Sequence, residues 1–358
     1  MKKLFYILPE YSKNTSTHFR YNIELLEEVS KEMEVFLFIE KGEKFKSNIQ
    51  NIYVGKFNFL PLRIVERFFI FSFARISGYR NFYSHYAYLS AMIAAFICRL
   101  SFGKLYFWHC EMRKEYEVAC SLCNLPAKLS KDWPFRIVLK ICSRLVTCSE
   151  QMSKYYSKEF AIRSGKISVM PNWVNTEKLR VENRKPGKTI LFLHWLSERK
   201  GTRILPEIFS EISSKMKDAK FIVVGEGPDS ILLKNEFKRR KLIVEMPGAV
   251  PNKDISSYFK RADIFINPSR EEEFGRVIIE AMAAGLPVVS TKTLGAEAIL
   301  SPKQKKFSFE YENPKEGAEK CLEILSSVRI FEDLKKDGLK RVEFFSKERV
   351  LKQFISLF

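Results

Sequence analysis

The sequence predicts an α/β protein made of two Rossmann-like, doubly wound domains that face each other across a cleft. Three observations carry this expectation. At 358 residues the chain exceeds the roughly 250–300 residues at which a single core stops growing. Short apolar strands alternate with amphipathic helices in both halves, the pattern of parallel sheets covered on both faces. Between the halves lies NTEKLRVENRKPGK, polar, charged and containing Pro186 and Gly187, as a linker would.

In order, LFYIL reads as the first strand. A polar loop leads to the helix FRYNIELLEEVSK and the strand VFLFI, and later LYFW, RLVTCS and KISVMP have strand character. After Lys188 the series runs TILFLHW (strand), RILPEIFSEISSKM (helix), KFIVVG (strand), SILLKNEFKRR (helix), LIVEM (strand), DISSYFKRA (helix) and DIFINPS (strand). The expected division is a first, acceptor-side domain over 1–175, a linker over 176–188 and a second, donor-side domain over 189–340. A terminal helix over 341–358 is expected to pack back on the first domain.

The formal net charge of +19 calls for an anionic partner: nucleic acid, an anionic membrane surface or a phosphorylated substrate. Between Lys44 and Cys110 the only acid is Glu66, and aromatics interleave with the basic residues, as in RIVERFFIFSFARISGYRNFYSHYAY. That mixture suits a core helix with a solvated basic face, and it equally suits a helix lying in anionic headgroups. AYLSAMIAAFIC, ended by Arg99, falls short of the ~20 residues of a membrane span. The start MKKLFYILPE reads as a strand, its apolar stretch being too short for a secretory signal. Seven cysteines without such a signal indicate reduced thiols in a cytosolic compartment. Cys120 and Cys123 form a C-x-x-C without a second pair of matching spacing, so buried thiols are expected in place of zinc ligands.

Candidate chemistry concentrates in the second half. SERKGT follows a strand, so Arg199, Lys200 and the amides of Gly201 and Thr202 emerge at a strand-to-helix turn, with Thr202 as the expected helix cap. Cations beside a helix amino terminus suit a diphosphate, though the same string also suits a capped helix with solvated ends. In VVGEGPDS, Gly225 and Gly227 close a strand, and Ser230 stands where a dinucleotide fingerprint needs a third glycine. In PSREEEFGRVIIEAMAAG, Glu272 sits in the loop and Glu280 one to two turns into the following helix. Carboxylates so placed accept hydrogen bonds from vicinal diols, while the Phe274, Gly275 and Arg276 amides point toward an anion.

Glu272 and Glu280, set in E-x-F-G-x-x-x-x-E-A-M-A-x-G-x-P-V-V, resemble the signature of the group 1, or family 4, retaining glycosyltransferases of GT-B fold. PNWVNTEKL, SERKGT, VVGEGP and TLGAEAI are similar to further motifs of that family, in the same order over roughly Met170 to Leu300. The resemblance implies a nucleotide-sugar donor, with Glu280 on the ribose and Lys200 on the diphosphate. It implies that Glu272 and the Phe274 and Gly275 amides hold the transferred sugar, that His109, after LYFW, is the histidine near sugar and acceptor, and that His109 and Glu272 are the catalytic residues. Gly201, Gly225 and Gly227 fall on the donor side.

This chain departs from the family pattern where His194-Trp195 stands for Gly-Arg, so Arg199 is the expected substitute for a phosphate-binding arginine. Its first loop has no paired glycines, and Asn14, Thr15, Ser16 and Thr17 are the acceptor-side candidates.

The expected reaction moves a sugar to a saccharide or lipid-linked acceptor in glycan or envelope polysaccharide synthesis. No D-x-D motif occurs, so neither a metal nor another cofactor is expected, the positive groups stabilising the leaving diphosphate. A peripheral position on the cytosolic face of a membrane is expected. The rival readings are an isomerase or phosphorylase on the same fold and, less favoured, a nucleic-acid-binding protein.

Overall fold

The structure, a computed structural model, describes residues 2–11, 16–43, 45–112, 127–181, 186–252 and 254–358, and only the backbone at 16–18 and 127–132. The chain forms two compact units, Met1–Pro171 with Leu351–Phe358, and Asn172–Val350. The stretch expected as a linker lies within the second unit, where residues 182–185 fall outside the described residues.

In the first unit the elements are β1 (Lys3–Tyr11), α1 (Ser16–Val29), β2 (Glu34–Gly42), β3 (Asn51–Val54), α2 (Leu60–Ile76) and β4 (Asn81–His85). They continue with α3 (Tyr88–Leu100), β5 (Lys104–Trp108), α4 (Ala127–Ile141), β6 (Arg144–Thr147), α5 (Glu150–Phe160) and β7 (Ile167–Val169). The seven strands form one parallel sheet in the order β3-β2-β1-β4-β5-β6-β7. Leu4 through Leu8 are all buried, which explains why β1 is a continuous apolar run: helices cover both faces of its sheet.

The second unit comprises α6 (Thr176–Leu179), β8 (Thr189–Leu193), α7 (Leu205–Lys215), β9 (Lys220–Val224), α8 (Ser230–Arg239), β10 (Val244–Gly248) and α9 (Ile255–Arg261). Next come β11 (Ile264–Asn267), α10 (Arg276–Ala283), β12 (Val288–Thr291), α11 (Leu294–Ile299), α12 (Pro302–Lys305), β13 (Ser308–Phe309), α13 (Pro314–Leu325) and α14 (Val328–Val342). Its six strands are also parallel, in the order β10-β9-β8-β11-β12-β13. Phe192, Phe209, Phe221 and Phe237 anchor its core, with the Phe209 and Phe221 rings stacked at 4.3 Å. The doubly wound α/β class expected from the alternation is therefore present in both units.

The last helix, α15 (Lys347–Ser356), runs into the first unit. Phe354 packs on Tyr83 at 5.2 Å between ring centres, and the Gln353 amide donates to the Val169 carbonyl at 2.8 Å.

Cys110 and Cys148 are joined as a disulfide, whereas the odd cysteine count suggested that every thiol is reduced. Spacing along the chain conceals the reason. Trp108 pairs with Val146 across β5 and β6, so the two cysteines just beyond these strand ends become neighbours, with Cα atoms 6.0 Å apart. Cys98, Cys142 and Cys321 are buried free thiols, and Cys120 and Cys123 lie outside the described residues. Among the described residues no helix is long and apolar enough to cross a membrane.

Candidate functional site

Strand order places the site. In the second unit the chain runs outward from β8 through β9 to β10, then returns to build β11, β12 and β13 on the other side of β8. The loops after β8 and β11 therefore diverge at the switch point of a parallel sheet, where ligands of such sheets bind. Lys200 and Arg199 come from the first of these loops, Glu272, Glu273 and Gly275 from the second.

The two loops are stitched together through their backbones. The Arg270 amide donates to the Arg199 carbonyl at 2.9 Å. Gly201 has φ +84°, and a side chain there would meet the Pro268 carbonyl at 1.9 Å, so only glycine allows the approach. Arg199 and Lys200 lie on a short 3-10 turn, Glu198–Lys200, that delivers both side chains to the second loop. Lys200 Nζ donates to Glu272 Oε2 at 2.5 Å, and the Arg199 guanidinium pairs with Glu273.

Thr202 is not the helix cap the sequence suggested. α7 begins later, at Leu205, and the buried Thr202 hydroxyl donates to the Asp229 carboxylate instead. A partner distant in sequence captured the hydroxyl, and nothing in the local pattern reveals it.

Glu272 holds its own loop as well as Lys200. Its Oε1 accepts from the Gly275 amide at 3.1 Å, and its carbonyl accepts from the Gly295 amide at 2.7 Å. Burial alone would raise its pKa, but Lys200, with smaller contributions from His194 and Arg199, outweighs burial and holds the carboxyl below its ordinary value. Glu273 behaves oppositely, because burial prevails over Arg199 and raises it.

Gly275, in the left-handed region at φ +75°, precedes the first residue of α10. Phe274 is buried and packs on Phe345 at 6.0 Å. Glu280, the fifth residue of α10, pairs with Arg276 at 3.1 Å, and burial raises its carboxyl despite that partner.

Gly225 and Gly227 close β9 against the loop after β8. Side chains there would meet the carbonyls of His194 at 1.9 Å and Leu196 at 2.3 Å, so both glycines mark close backbone approach. His194 itself, seen in the sequence only as a departure, sits among these loops. Its Nε2 bonds Asn267 Oδ1 at 2.7 Å, and burial, aided by Lys200, lowers its pKa to about 4. A strand-terminal histidine paired with a strand-terminal asparagine from the neighbouring strand is the signal that sequence reading missed.

In the first unit His109 is wholly enclosed. Its Nδ1 lies 2.6 Å from the Tyr156 hydroxyl, its Nε2 2.9 Å from the Tyr88 hydroxyl, and the Glu111 carboxylate is 3.8 Å away. Asn14 and Thr15 lie outside the described residues. Ser16 and Thr17 open α1, and only their backbone is described. Among the described residues no three His, Cys, Asp or Glu side chains are placed to share a metal ion.

Residues 175–341 match the family model described as glycosyl transferases group 1. The 2-deoxystreptamine N-acetyl-D-glucosaminyltransferase of Niallia circulans is 34% identical over 116 residues, 32% of this chain and 30% of that protein. Spore coat protein SA of Bacillus subtilis is 28% identical over 302 residues, 69% of this chain and 80% of that protein. Among solved structures, the Anabaena protein HepE in complex with UDP superposes with a TM-score of 0.79 at 15% identity, covering 100% of this chain and 99% of that one. The chain spans about a third of the length of the curated N-acetylglucosaminyltransferases it matches. The segment that matches the group 1 model lies in the second unit and holds the loops of Lys200 and Glu272, and the likeness to HepE is one of fold.

Proposed function

We propose that the chain is a retaining, metal-independent hexosyltransferase. It would move a sugar from a nucleotide-sugar donor to a saccharide or lipid-linked acceptor in glycan or envelope polysaccharide synthesis. The observation that carries this reading is the Lys200–Glu272 contact between the two switch-point loops, with Glu272 also accepting from the Gly275 amide just before α10, the helix that carries Glu280. The relatives' names fit: HepE is in complex with UDP, and the Niallia circulans protein is named for N-acetyl-D-glucosaminyl transfer.

In this reading Glu280 accepts the ribose hydroxyls, and Lys200 and Arg199 receive the diphosphate. Glu272 and the Phe274 and Gly275 amides hold the transferred sugar. Gly201, Gly225 and Gly227 let the backbone come close enough for the loops to meet the donor. An incoming diphosphate competes with Glu272 and Glu273 for the two cations, so donor binding exchanges one set of charge-assisted bonds for another.

The bond between anomeric carbon and diphosphate oxygen breaks with its electron pair on the diphosphate. The acceptor hydroxyl attacks from the face the diphosphate leaves, and its proton passes to the departing oxygen. Positive groups aimed at the leaving diphosphate lower the barrier and supply the role that a metal takes elsewhere. His109, its ring nitrogens taken by Tyr88 and Tyr156, is a positioning residue of the first unit, and the acceptor side is assigned to residues 14–17. The protein would work in the cytoplasm, peripheral to the membrane and without nucleic acid as partner.

The test is incubation with a panel of nucleotide sugars and detection of nucleoside diphosphate release, with and without a chelator. Release from one donor, undiminished by the chelator, is expected. No release from any donor overturns the reading, and release that the chelator abolishes overturns metal independence alone.

A further inference from the structure

Helix α2, LPLRIVERFFIFSFARI, is folded inside out. Its buried face carries Glu66, Arg67, Phe71 and Ala74, two of them charged. Its solvent face carries Leu62, Val65, Phe68, Phe69, Phe73 and Ile76, none of them charged. Phe69 is 66% exposed, Phe73 60% and Ile76 87%. A helix that borders water places these residue types the other way round.

The buried charges hold the helix in this orientation through bonds to neighbouring elements. Arg67, 1% exposed, donates to Ser90 Oγ at 2.8 Å and to the Arg63 carbonyl at 2.9 Å, with Glu40 at 3.4 Å. Glu66 accepts from the Tyr53 hydroxyl and the Lys56 amide, both at 2.8 Å. Turning α2 over would break the bonds to Ser90, Glu40, Tyr53 and Lys56, all outside the helix, so the apolar face is fixed outward by the fold.

The surface continues beyond the helix. Arg75 Nε donates to Ser101 Oγ at 2.8 Å, which ties the last turn of α2 to the turn after α3. There Leu100 is exposed, as is Phe102 at 96%. On α2 alone the six apolar side chains leave on the order of 600 Å² open, the size at which a patch on a monomer marks a binding surface.

The charges at the edges select the occupant. Exposed Lys56 stands at one end of α2. At the other end Lys104 bonds through its amide to the Arg80 carbonyl at 2.8 Å, both side chains exposed, with exposed Arg99 on the last turn of α3. The sole acid between residues 44 and 110 is Glu66, and it is buried. A second copy laid on this face would bring like charges together, whereas an anionic bilayer surface offers phosphates to the basic ends and an acyl boundary to the phenylalanines.

We propose that the exposed face of α2, with the α3 turn at Leu100 and Phe102, is the surface by which this chain lies in an anionic membrane leaflet, the helix parallel to the bilayer and its phenylalanines below the headgroups. This rests on the peripheral membrane placement proposed above and assigns it to one face.

The experiment is flotation of the whole chain with vesicles of phosphatidylcholine, with and without phosphatidylglycerol, at low and high ionic strength. The variants are Phe69→Glu/Phe73→Glu and Arg80→Glu/Lys104→Glu, with thermal unfolding as the check that each is folded. Both pairs are exposed, so their unfolding midpoints are expected to stay at the wild-type value. The wild type is expected to float with the anionic vesicles, less so at high salt, and each variant to partition about tenfold less or weaker. A folded Phe69→Glu/Phe73→Glu variant that floats like the wild type overturns the assignment to α2 while leaving membrane contact standing. A wild type that floats with neither vesicle overturns both, and a concentration-dependent dimer in sedimentation velocity would then give the face to a second copy.

Discussion

Lys200 and Glu272 are joined at 2.5 Å, their side chains only 18% and 11% exposed, so that one ion pair ties the loop after β8 to the loop after β11. Both loops leave the sheet at its switch point. The pair is thus structural in the free protein and chemical in the proposed reaction, and the two roles separate by experiment.

Removing one partner strands the other. Lys200→Ala leaves the enclosed Glu272 carboxylate without its main compensating charge, and the expected loss in urea denaturation is about 2–4 kcal/mol. The double variant Lys200→Ala/Glu272→Ala should lose less than the sum of the singles. Strict additivity would show that the pair does not couple the loops.

Acid should weaken the second unit through His194. Burial first, and Lys200 second, lower this imidazole from 6.5 to about 4. Between those values the unfolded chain binds a proton that the folded one refuses, so stability rises with pH across the window by about 3 kcal/mol at most. His85, lowered by burial to about 3, acts in the same direction. Urea midpoints measured across this window should therefore climb less steeply in His194→Gln than in the wild type. Parallel slopes would contradict the assignment.

Glycine substitutions should divide sharply by site. At Gly201 a methyl group meets the Pro268 carbonyl at 1.9 Å with φ at +84°, and Gly201→Ala should cost more than about 3 kcal/mol. At Gly165 nothing lies within 4 Å, and Gly165→Ala should stay within about 0.5 kcal/mol of the wild type. Thermal unfolding of the two variants side by side checks the contrast.

The second unit was far more legible in the sequence than the first. Its strands β8, β9 and β11 are short, largely apolar and bounded by helices with clear periodicity, and its turns carry glycines whose spacing is set by backbone approach, as at Gly201 and Gly227. The first unit hides β3 and β4 in NIYV and NFYSH, too short and too polar to stand out. Pairings between distant residues were invisible: Thr202 with Asp229, His194 with Asn267 and Cys110 with Cys148 each depend on which strand ends become neighbours. The charge pattern of α2 misled for the same reason, since a basic, aromatic helix suggests a solvated basic face until Arg67 is seen to point inward.

Arg67 offers a separate test of the first unit. Buried with Ser90 and Glu40, it cannot be shortened without leaving Glu40, itself mostly enclosed, short of a partner. Arg67→Ala should cost about 3–5 kcal/mol, and Arg67→Lys should recover only part of it, because an ammonium cannot reproduce the guanidinium's spread of donors. Equal stability of Arg67→Ala and the wild type in urea would contradict the inward-facing charge network.

The central claim is that carboxylate and cation at the switch point grip an activated sugar. Its most direct measurement is calorimetric donor affinity together with nucleoside diphosphate release for Glu280→Gln and Lys200→Met, each shown to be folded at the assay temperature. The account predicts that both variants lose affinity and that turnover in Lys200→Met falls by about a hundredfold or more. Wild-type affinity and turnover in both folded variants would contradict it.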